Sequence, residues 1–177
     1  NEDNLWNIVT EYEYDLGGNQ TLVRDTYGRE TEYQYDDADR LVKTIDADGN
    51  ETTSTYNEAG QLVSTTDALG HATTYAYDAA GRLISSTDAL GNSTTTLYNL
   101  DGTVASTSDA LGRVTSYTYD DLKRVLTVTQ SNGAVTSNSY DDNGNLIAST
   151  DALGNTTQYE YDALGRVIKT TDPLGNF

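Results

Sequence analysis

The sequence contains no cysteine and no methionine, and it has one proline, one tryptophan and one phenylalanine. The lack of cysteine excludes disulfides and thiolate metal sites, but it is compatible with both secreted and cytoplasmic proteins. No apolar run approaches the length of a membrane span, and the first residues lack the basic and apolar character of a signal peptide. We therefore expect any export signal to lie outside this chain.

Basic residues are also scarce. The chain has 10 Lys and Arg against 28 Asp and Glu, a formal net charge of −18. Because nucleic acids and anionic lipids bind mainly to Lys and Arg, we expect neither as a partner. Leu, Val, Ile and Phe make up fewer than one residue in five, which at this charge is typical of disorder. Fourteen tyrosines and a strict sequence period favour an ordered repeat protein instead.

Tyrosine recurs every 21 residues without an insertion, and each time Asp or Asn follows it. Glycine comes three residues after this Asp or Asn, except that Asp39 and Lys123 stand in its place in two repeats. A second glycine recurs without exception, and an Asp precedes it by three residues everywhere but at Gln130. The structural repeat residues are therefore Tyr14, Tyr35, Tyr56, Tyr77, Tyr98, Tyr119, Tyr140, Tyr161, Gly28, Gly49, Gly70, Gly91, Gly112, Gly133, Gly154 and Gly175.

Each Asp-x-x-Gly unit predicts a tight reversal. The Asp or Asn side chain accepts a backbone hydrogen bond two residues on, and the glycine takes a positive φ at no steric cost. This is a hairpin turn with a G1-type bulge. Two such turns in 21 residues leave two strands of about five to six residues, so the chain is predicted to be an antiparallel meander.

Alternation along the strands predicts which residues share a face. Thr73, Tyr75 and Tyr77 fall on one face, which we expect to be the packed side. In the next strand the adjacent apolar residues Leu83 and Ile84 are expected to point to opposite faces. One of these apolar sets should pack beside the Tyr ladder, and the other should meet turn leucines; which set does which stays open. These turn leucines are Leu69, Leu90, Leu111, Leu153 and Leu174.

The predicted domain organisation is an N-terminal lead-in over residues 1–13, which includes the lone Trp6, and eight repeats over residues 14–177, the last one truncated. Eight hairpins would make a flat sheet roughly 75 Å wide at about 4.8 Å per strand. Open sheets of more than about ten strands usually curl. We therefore expect an all-β fold of tandem hairpin repeats that curls into a spiral, solenoid or shell wall, in which each hairpin contacts mainly its neighbours.

The segment Tyr77–Asn92, with the sequence YDAAGRLISSTDALGN, closely resembles the YD repeat of the Rhs family, and residues 161–167, YDALGRV, resemble it equally well. The resemblance covers nearly the whole chain. It implies a β-strand spiral that in large relatives closes into a hollow shell around a toxic C-terminal polypeptide. Other relatives act in adhesion or at the cell wall, and such proteins are exported or surface-displayed.

Candidate chemistry is sparse. The many Asp residues raise the question of calcium, but neither an EF-hand loop nor a glycine-rich nonapeptide is present. His71 is the only histidine and is interpreted as a surface turn residue. The carboxylate pairs Asp120–Asp121 and Asp141–Asp142 would suit a glycosidase, but they occupy turn positions that the repeat requires. Four sequons make candidate glycosylation sites of Asn19, Asn50, Asn92 and Asn155.

We therefore assign no catalytic, cofactor or metal residue and expect a structural protein rather than an enzyme. The leading hypothesis is a scaffold segment of an exported, Rhs-like protein that is extracellular or displayed on the cell surface. Its expected partners are neighbouring repeats of the same or adjacent chains and, where the resemblance to the toxin branch holds, an encapsulated C-terminal toxin. Two alternatives stay open: an extracellular filament built by end-to-end stacking, and an adhesin that binds surface glycans.

Overall fold

The computed structural model describes residues 9–177, which form β-strands joined by tight turns and contain no helix. Accordingly, this part of the chain has no helix long and apolar enough to cross a membrane. The chain divides into two compact units, one up to Asn92 and one from Ser93 to Phe177. The predicted all-β fold of antiparallel hairpins is confirmed in both units. Most of the predicted lead-in, including Trp6, lies outside the described residues.

The first unit is a meander of eight strands, each hydrogen-bonded to the next in chain order. Turn segments of five residues separate the strands, because most of them have Asp at the first position and Gly at the fourth, which favour reversal over extension. The strands are β1 (Glu11–Tyr14), β2 (Gln20–Arg24), β3 (Glu30–Tyr35), β4 (Leu41–Ile45), β5 (Glu51–Tyr56), β6 (Leu62–Thr66), β7 (Ala72–Tyr77) and β8 (Leu83–Thr87).

The second unit repeats this arrangement with eight further strands in chain order. Their sequences are rich in Thr, Val and Tyr, whose branched or aromatic side chains favour extended backbone. The strands are β9 (Ser93–Tyr98), β10 (Val104–Ser108), β11 (Val114–Tyr119), β12 (Val125–Thr129), β13 (Val135–Tyr140), β14 (Leu146–Thr150), β15 (Thr156–Tyr161) and β16 (Val167–Thr171).

The strand that ends in the repeated tyrosine has a clear difference between its two faces. In β7, Thr73, Tyr75 and Tyr77 are half-buried, whereas Thr74 and Ala76 are exposed. The same alternation appears in β3 and β15. The face of the sheet that carries Thr and Tyr is therefore the better packed one, as the sequence pattern predicts.

A second β-bulge, separate from the predicted G1-type bulge at the turn glycine, interrupts the strand pairing of every tyrosine hairpin, and the sequence analysis did not predict it. Tyr77 pairs with Leu83, but the preceding Ala76 pairs with Ser85, so Ile84 is an extra residue. Directly paired residues share a face, which places Leu83 with Tyr77 and Ser85 on the other side. Strict alternation along β8 is therefore broken at Ile84.

Neither unit has a closed hydrophobic core. Among residues 9–177 no hydrophobic side chain is buried, and the packed face is only half-buried. The expected packing of an apolar strand set against the turn leucines was wrong, because Leu69 and Leu90 are 81% and 87% exposed and project from the turns. Leu111, Leu153 and Leu174 are similarly exposed in the second unit. Order must therefore come from strand pairing and from contacts between neighbouring hairpins.

Candidate functional site: the contacts that join consecutive repeats

Each turn is closed by two backbone hydrogen bonds, and most turns are reinforced by the Asp that begins them. In the turn after β7, the Gly81 amide donates to the Asp78 carbonyl oxygen and the Asp78 amide donates to the Arg82 carbonyl oxygen, both at 3.0 Å. The Asp78 carboxylate accepts the backbone amides of Ala80 and Arg82 at 2.9 and 3.0 Å. Its second oxygen accepts Arg82 Nε at 2.7 Å. The Asp carboxylate therefore stabilises the turn by binding two backbone amides and the side chain of the last turn residue.

These hydrogen bonds favour the charged form of the carboxylates. Arg82 lowers the pKa of Asp78, first through its side chain and then through its backbone amide. Asn92 does the same for Asp88, while at Asp67 the backbone amide of His71 is the largest cause, ahead of its ring. The turn Asp residues therefore stay ionised to lower pH than a free Asp.

The glycines of the turns adopt the left-handed conformation that the G1-type bulge of the turn requires. Gly91, for example, has a φ of +83°, and all eight glycines of the invariant set have positive φ. In the other set of turns, those that follow the repeated tyrosines, Asp39 and Lys123 replace glycine and also have positive φ, at 58° and 64°. The backbone geometry of the turn is thus retained even where the side chain disfavours it.

The repeated tyrosine connects its own hairpin to the previous one. The Tyr77 hydroxyl donates to the backbone carbonyl of Leu62, fifteen residues earlier, at 2.8 Å. The carbonyl belongs to the first residue of β6, so the tyrosine spans the gap between two successive tyrosine hairpins. The same bond joins Tyr35 to Gln20, Tyr56 to Leu41, Tyr140 to Val125 and Tyr161 to Leu146.

An arginine of one turn reaches forward to the next tyrosine. Arg124 is paired with Asp120 in its own turn at 2.6 Å, and its Nη1 donates to the Asp141 carbonyl oxygen at 3.1 Å. Its guanidinium carbon also lies 4.6 Å from the centroid of the Tyr140 ring, within range of a cation–π interaction. We call this set of contacts the arginine latch.

The first unit contains the same latch. Arg40 pairs with Asp36, donates to the Asn57 carbonyl oxygen at 3.3 Å and lies 4.7 Å from the Tyr56 ring centroid. One repeat later, Gln61 reaches forward with a single bond from its Nε2 to the Gly81 carbonyl oxygen at 3.0 Å. Each of these side chains stands directly after a turn glycine or its substitute, so this one position links neighbouring repeats.

The sequence analysis missed this role of arginine, although a signal was present. The residue five positions after each repeated tyrosine is Arg at 40, 82, 124 and 166, in every second repeat. Asn19, Gln61, Thr103 and Asn145 occupy the intervening repeats. A period of 42 residues therefore lies over the period of 21, and it shows that the structural unit contains two tyrosine hairpins.

The other candidate residues lie in turns. The Nδ1 atom of His71 is 2.9 Å from Asp67 Oδ2, so the imidazole fills the place that Arg or Asn fills elsewhere. The sequon asparagines donate their side-chain amides to the turn Asp, as Asn50 does to Asp46 at 2.9 Å and Asn155 to Asp151 at 2.8 Å. Over residues 9–177, no three His, Cys, Asp or Glu side chains are grouped so as to hold a metal ion.

Comparison with known proteins agrees with this two-hairpin unit. The family described as RHS Repeat matches residues 14–51, 56–95, 98–135 and 140–176, and each match contains two of the repeated tyrosines. The chain belongs to the RHS repeat family. The resemblance to the YD repeat is thereby confirmed across most of the chain. No curated protein matches the chain.

Solved structures with the RHS-type fold resemble the chain at low identity. The crystal structure of TcdB2-TccC3-Cdc42 matches with a TM-score of 0.58 and 17% identity over 92% of this chain. The crystal structure of TcdB2-TccC3 without its hypervariable C-terminal region matches with a TM-score of 0.51 and 19% identity over 94%. This RHS repeat chain spans only 13% of the length of either matched chain. The likeness therefore establishes the fold of the segment.

Proposed function

We propose that this chain is a non-catalytic wall segment of an exported Rhs-type protein, and that the complete wall encloses a C-terminal polypeptide. The observation that carries the proposal is the series of contacts between successive hairpins. Tyr77 bonds back to Leu62, and Arg124 reaches forward to Tyr140 and Asp141. The described polar groups of the repeats thus serve to connect one hairpin to the next.

Contacts of this kind suit a wall because they are local and repeatable. Each hairpin is supported by its neighbours along the chain, so the sheet extends with every added repeat and needs no central core. The half-buried face and the projecting turn leucines fit a sheet that is covered on one side more than the other. A wall with two unlike faces can separate an interior from bulk water.

The family assignment supports the same proposal. In large relatives of the RHS repeat family, as the resemblance implies, such β-spirals close into a shell around a toxic polypeptide. The TcdB2-TccC3 structures share the fold of this segment. The exported location and the enclosed C-terminal partner belong to the proposal and follow from the same resemblance.

The test uses the full-length parent protein that contains this segment. Electron microscopy of the purified protein is expected to show closed shells, and limited proteolysis is expected to leave the C-terminal polypeptide intact until the shell is unfolded in denaturant. A sample unfolded before protease treatment is the control. Equal digestion rates for the C-terminal polypeptide in folded and unfolded samples would refute enclosure.

The same experiment separates the alternative functions. Fibres in the micrographs would favour the filament formed by end-to-end stacking. Open spirals together with selective binding on a glycan array would favour the adhesin. Cell fractionation of the native host tests export directly, because a wall protein of this kind is expected outside the cytoplasm.

A further inference from the structure

Two turns of the repeat carry a side chain where the others carry glycine. Asp39 and Lys123 adopt φ angles of 58° and 64°, a conformation that side chains other than glycine adopt at a cost. Glycine at both positions would remove this strain, as it does at Gly60, Gly81, Gly144 and Gly165. A compensating interaction is therefore expected at Asp39 and Lys123.

Both side chains reach back to the corresponding turn of the preceding repeat. The Asp39 carboxylate accepts the Asn19 side-chain amide at 2.7 Å. The Lys123 ammonium donates to the backbone carbonyl of Asp101 at 2.6 Å. The residues so joined are 20 and 22 positions apart, one repeat away, and the two residue pairs lie in different units.

The turns with glycine show the opposite direction of contact. A Cβ atom built on Gly60 would lie 3.6 Å from Arg40 Nη1, and one built on Gly144 would lie 3.7 Å from Arg124 Nη1. In these repeats the long side chain of the preceding turn therefore reaches forward over the glycine. A Cβ atom on Gly81 similarly lies 3.3 Å from Gln61 Nε2.

Within the described residues, the two residues one repeat before the exceptions, Asn19 and Thr103, make no hydrogen bond to the backbone of the following tyrosine turn. Asn19 is held by Asp15 in its own turn, and its amide extends only to the Asp39 carboxylate. Thr103 donates to the Asp101 carboxylate within its own turn at 2.7 Å. A side chain from the following repeat then supplies the contact that an Arg or Gln supplies elsewhere.

We propose that Asp39 and Lys123 are backward ties, which join consecutive tyrosine turns at Asn19 and Thr103, where the residue after the turn glycine makes no hydrogen bond to the backbone of the next tyrosine turn. The strained backbone at these two residues is retained because the tie links neighbouring hairpins. The proposal does not depend on what the assembled wall encloses. It defines two interchangeable ways of connecting repeats. In one, a long side chain extends forward over the glycine of the next turn; in the other, the residue that replaces this glycine contacts the preceding turn.

Amide hydrogen exchange measured by NMR on the whole chain tests the first tie. The reporters are the Asp15 and Gly18 amides, which close the turn that Asp39 contacts. Asp39→Gly removes both the strain and the tie, and we expect these amides to exchange about three- to tenfold faster, the usual effect of one lost hydrogen bond. Unchanged or slower exchange would overturn the proposal, because relief of strain alone slows local opening. Asp39→Asn retains an acceptor oxygen and is expected to remain close to the parent.

The tie of Lys123 has an independent readout. Hydrogen bonds from Thr103 lower the pKa of the Asp101 carboxyl, and the charge of Lys123 lowers it further. Lys123→Gly should therefore raise the pKa of Asp101 and speed exchange of the Gly102 amide, which closes the same turn. An Asp101 titration identical to that of the parent would show that Lys123 does not hold this turn.

A new tie can also be built, since Asn145 is a short residue followed one repeat later by glycine. The Asn145 side chain lies beside this position, with its Oδ1 atom 3.6 Å from a Cβ built on Gly165. Its Nδ2 atom donates to Asp141 Oδ2 at 2.8 Å and has a second hydrogen to donate, as Asn19 Nδ2 does to Asp39. We expect the amides of the Asp141 turn to exchange about three- to tenfold more slowly in Gly165→Asp than in Gly165→Ala, because only Asp offers an acceptor to Asn145.

The matched pair Gly18→Asp and Gly18→Ala measures the intrinsic preference of Asp for positive φ, because a Cβ on Gly18 has no atom within 4 Å. For each pair, the ratio is the exchange rate of the Ala variant divided by that of the Asp variant. This ratio must be larger for the Gly165 pair than for the Gly18 pair. Equal ratios would refute the tie, because the benefit of Asp would then be conformational alone.

Discussion

Substitution of Arg124 by methionine is the sharpest test of the arginine latch. Methionine keeps much of the unbranched stem but removes the guanidinium, and with it three contacts. These are the ion pair with Asp120 at 2.6 Å, the hydrogen bond to the Asp141 carbonyl oxygen at 3.1 Å and the cation–π contact with Tyr140 at 4.6 Å. Two of the three reach into the next repeat, so their loss should loosen the junction between the hairpins.

The expected cost follows from the exposure of the groups. The Arg124 side chain is 25% exposed, so the ion pair with Asp120 is partly screened and contributes roughly 0.2–1 kcal/mol. A cation–π contact at such a site contributes about 0.5–1 kcal/mol. The hydrogen bond to the Asp141 carbonyl adds about 1 kcal/mol. Arg124→Met should therefore reduce the free energy of local opening by about 2 kcal/mol.

Arg113 provides a matched control within the same unit. It pairs with Asp109 at 2.6 Å as Arg124 pairs with Asp120, but its side chain is 65% exposed, and within the described residues it contacts no tyrosine ring. Arg113→Met removes the ion pair without a forward latch. We expect it to cost less than about 1 kcal/mol, the usual value for an exposed pair.

Hydrogen exchange of the β13 amides is the appropriate assay, because repeat proteins can open locally and a single unfolding midpoint would average over the array. A loss of about 2 kcal/mol corresponds to about 30-fold faster exchange in Arg124→Met. Equal effects of Arg124→Met at β13 and Arg113→Met at its own turn would show that the ion pair alone matters. The latch would then have no role in joining repeats.

Three further predictions concern the turns and the tyrosines. Gly91→Val should destabilise its hairpin by about 1–2 kcal/mol in urea unfolding, because Gly91 has a φ of +83° and a β-branched residue resists that conformation. Tyr77→Phe should cost about 1 kcal/mol by loss of the hydroxyl bond to Leu62, and Tyr77→Ser should cost more because the half-buried ring is also lost. Folding lowers the pKa of the turn Asp residues, so the unfolded chain takes up protons at a higher pH than the folded chain does. The free energy of unfolding should therefore fall as the pH drops below about 4.

Each of these predictions has its own control. Gly91→Asn should be milder than Gly91→Val, since Asn tolerates positive φ, and equal losses would contradict the strain argument. Neutral results for both Tyr77 variants would mean that the tyrosine does not hold the hairpins together. Acid unfolding is followed by circular dichroism with and without 0.5 M salt. The salt shortens the Debye length to roughly 4–5 Å and so screens charge repulsion, whereas it leaves the hydrogen bonds of the turns in place. An unfolding curve that is flat from pH 5 to 2 would exclude the proposed linkage.

The turns were the part of the fold most predictable from the sequence. Asp78 and Gly81 act through their own backbone within four residues, so their spacing alone specifies the hydrogen bonds. The exceptions Asp39 and Lys123 were also visible, but their partners in the preceding repeat were not. Contacts between residues about 20 positions apart depend on how the hairpins align, and a single repeat does not contain that information.

The bulge at Ile84 shows a further limit of reading alternation from sequence. Alternating faces follow from an ideal strand, and one extra residue shifts every later side chain to the other face. Leu83 and Ile84 are both apolar, so their chemistry does not indicate which one is extra. The arginine latch was overlooked for a related reason, since an Arg beside a turn Asp is already explained by its ion pair.

The sequence by itself determined the repeat, the turn positions, the strand lengths and the absence of sulfur, because each depends on residue type or on bonds within one turn. The tertiary structure decided which residues connect one hairpin to the next, where the pairing shifts, and that the tyrosine face is only half-buried. Those features arise from the distance between neighbouring hairpins, which strand pairing sets and which no local sequence pattern encodes.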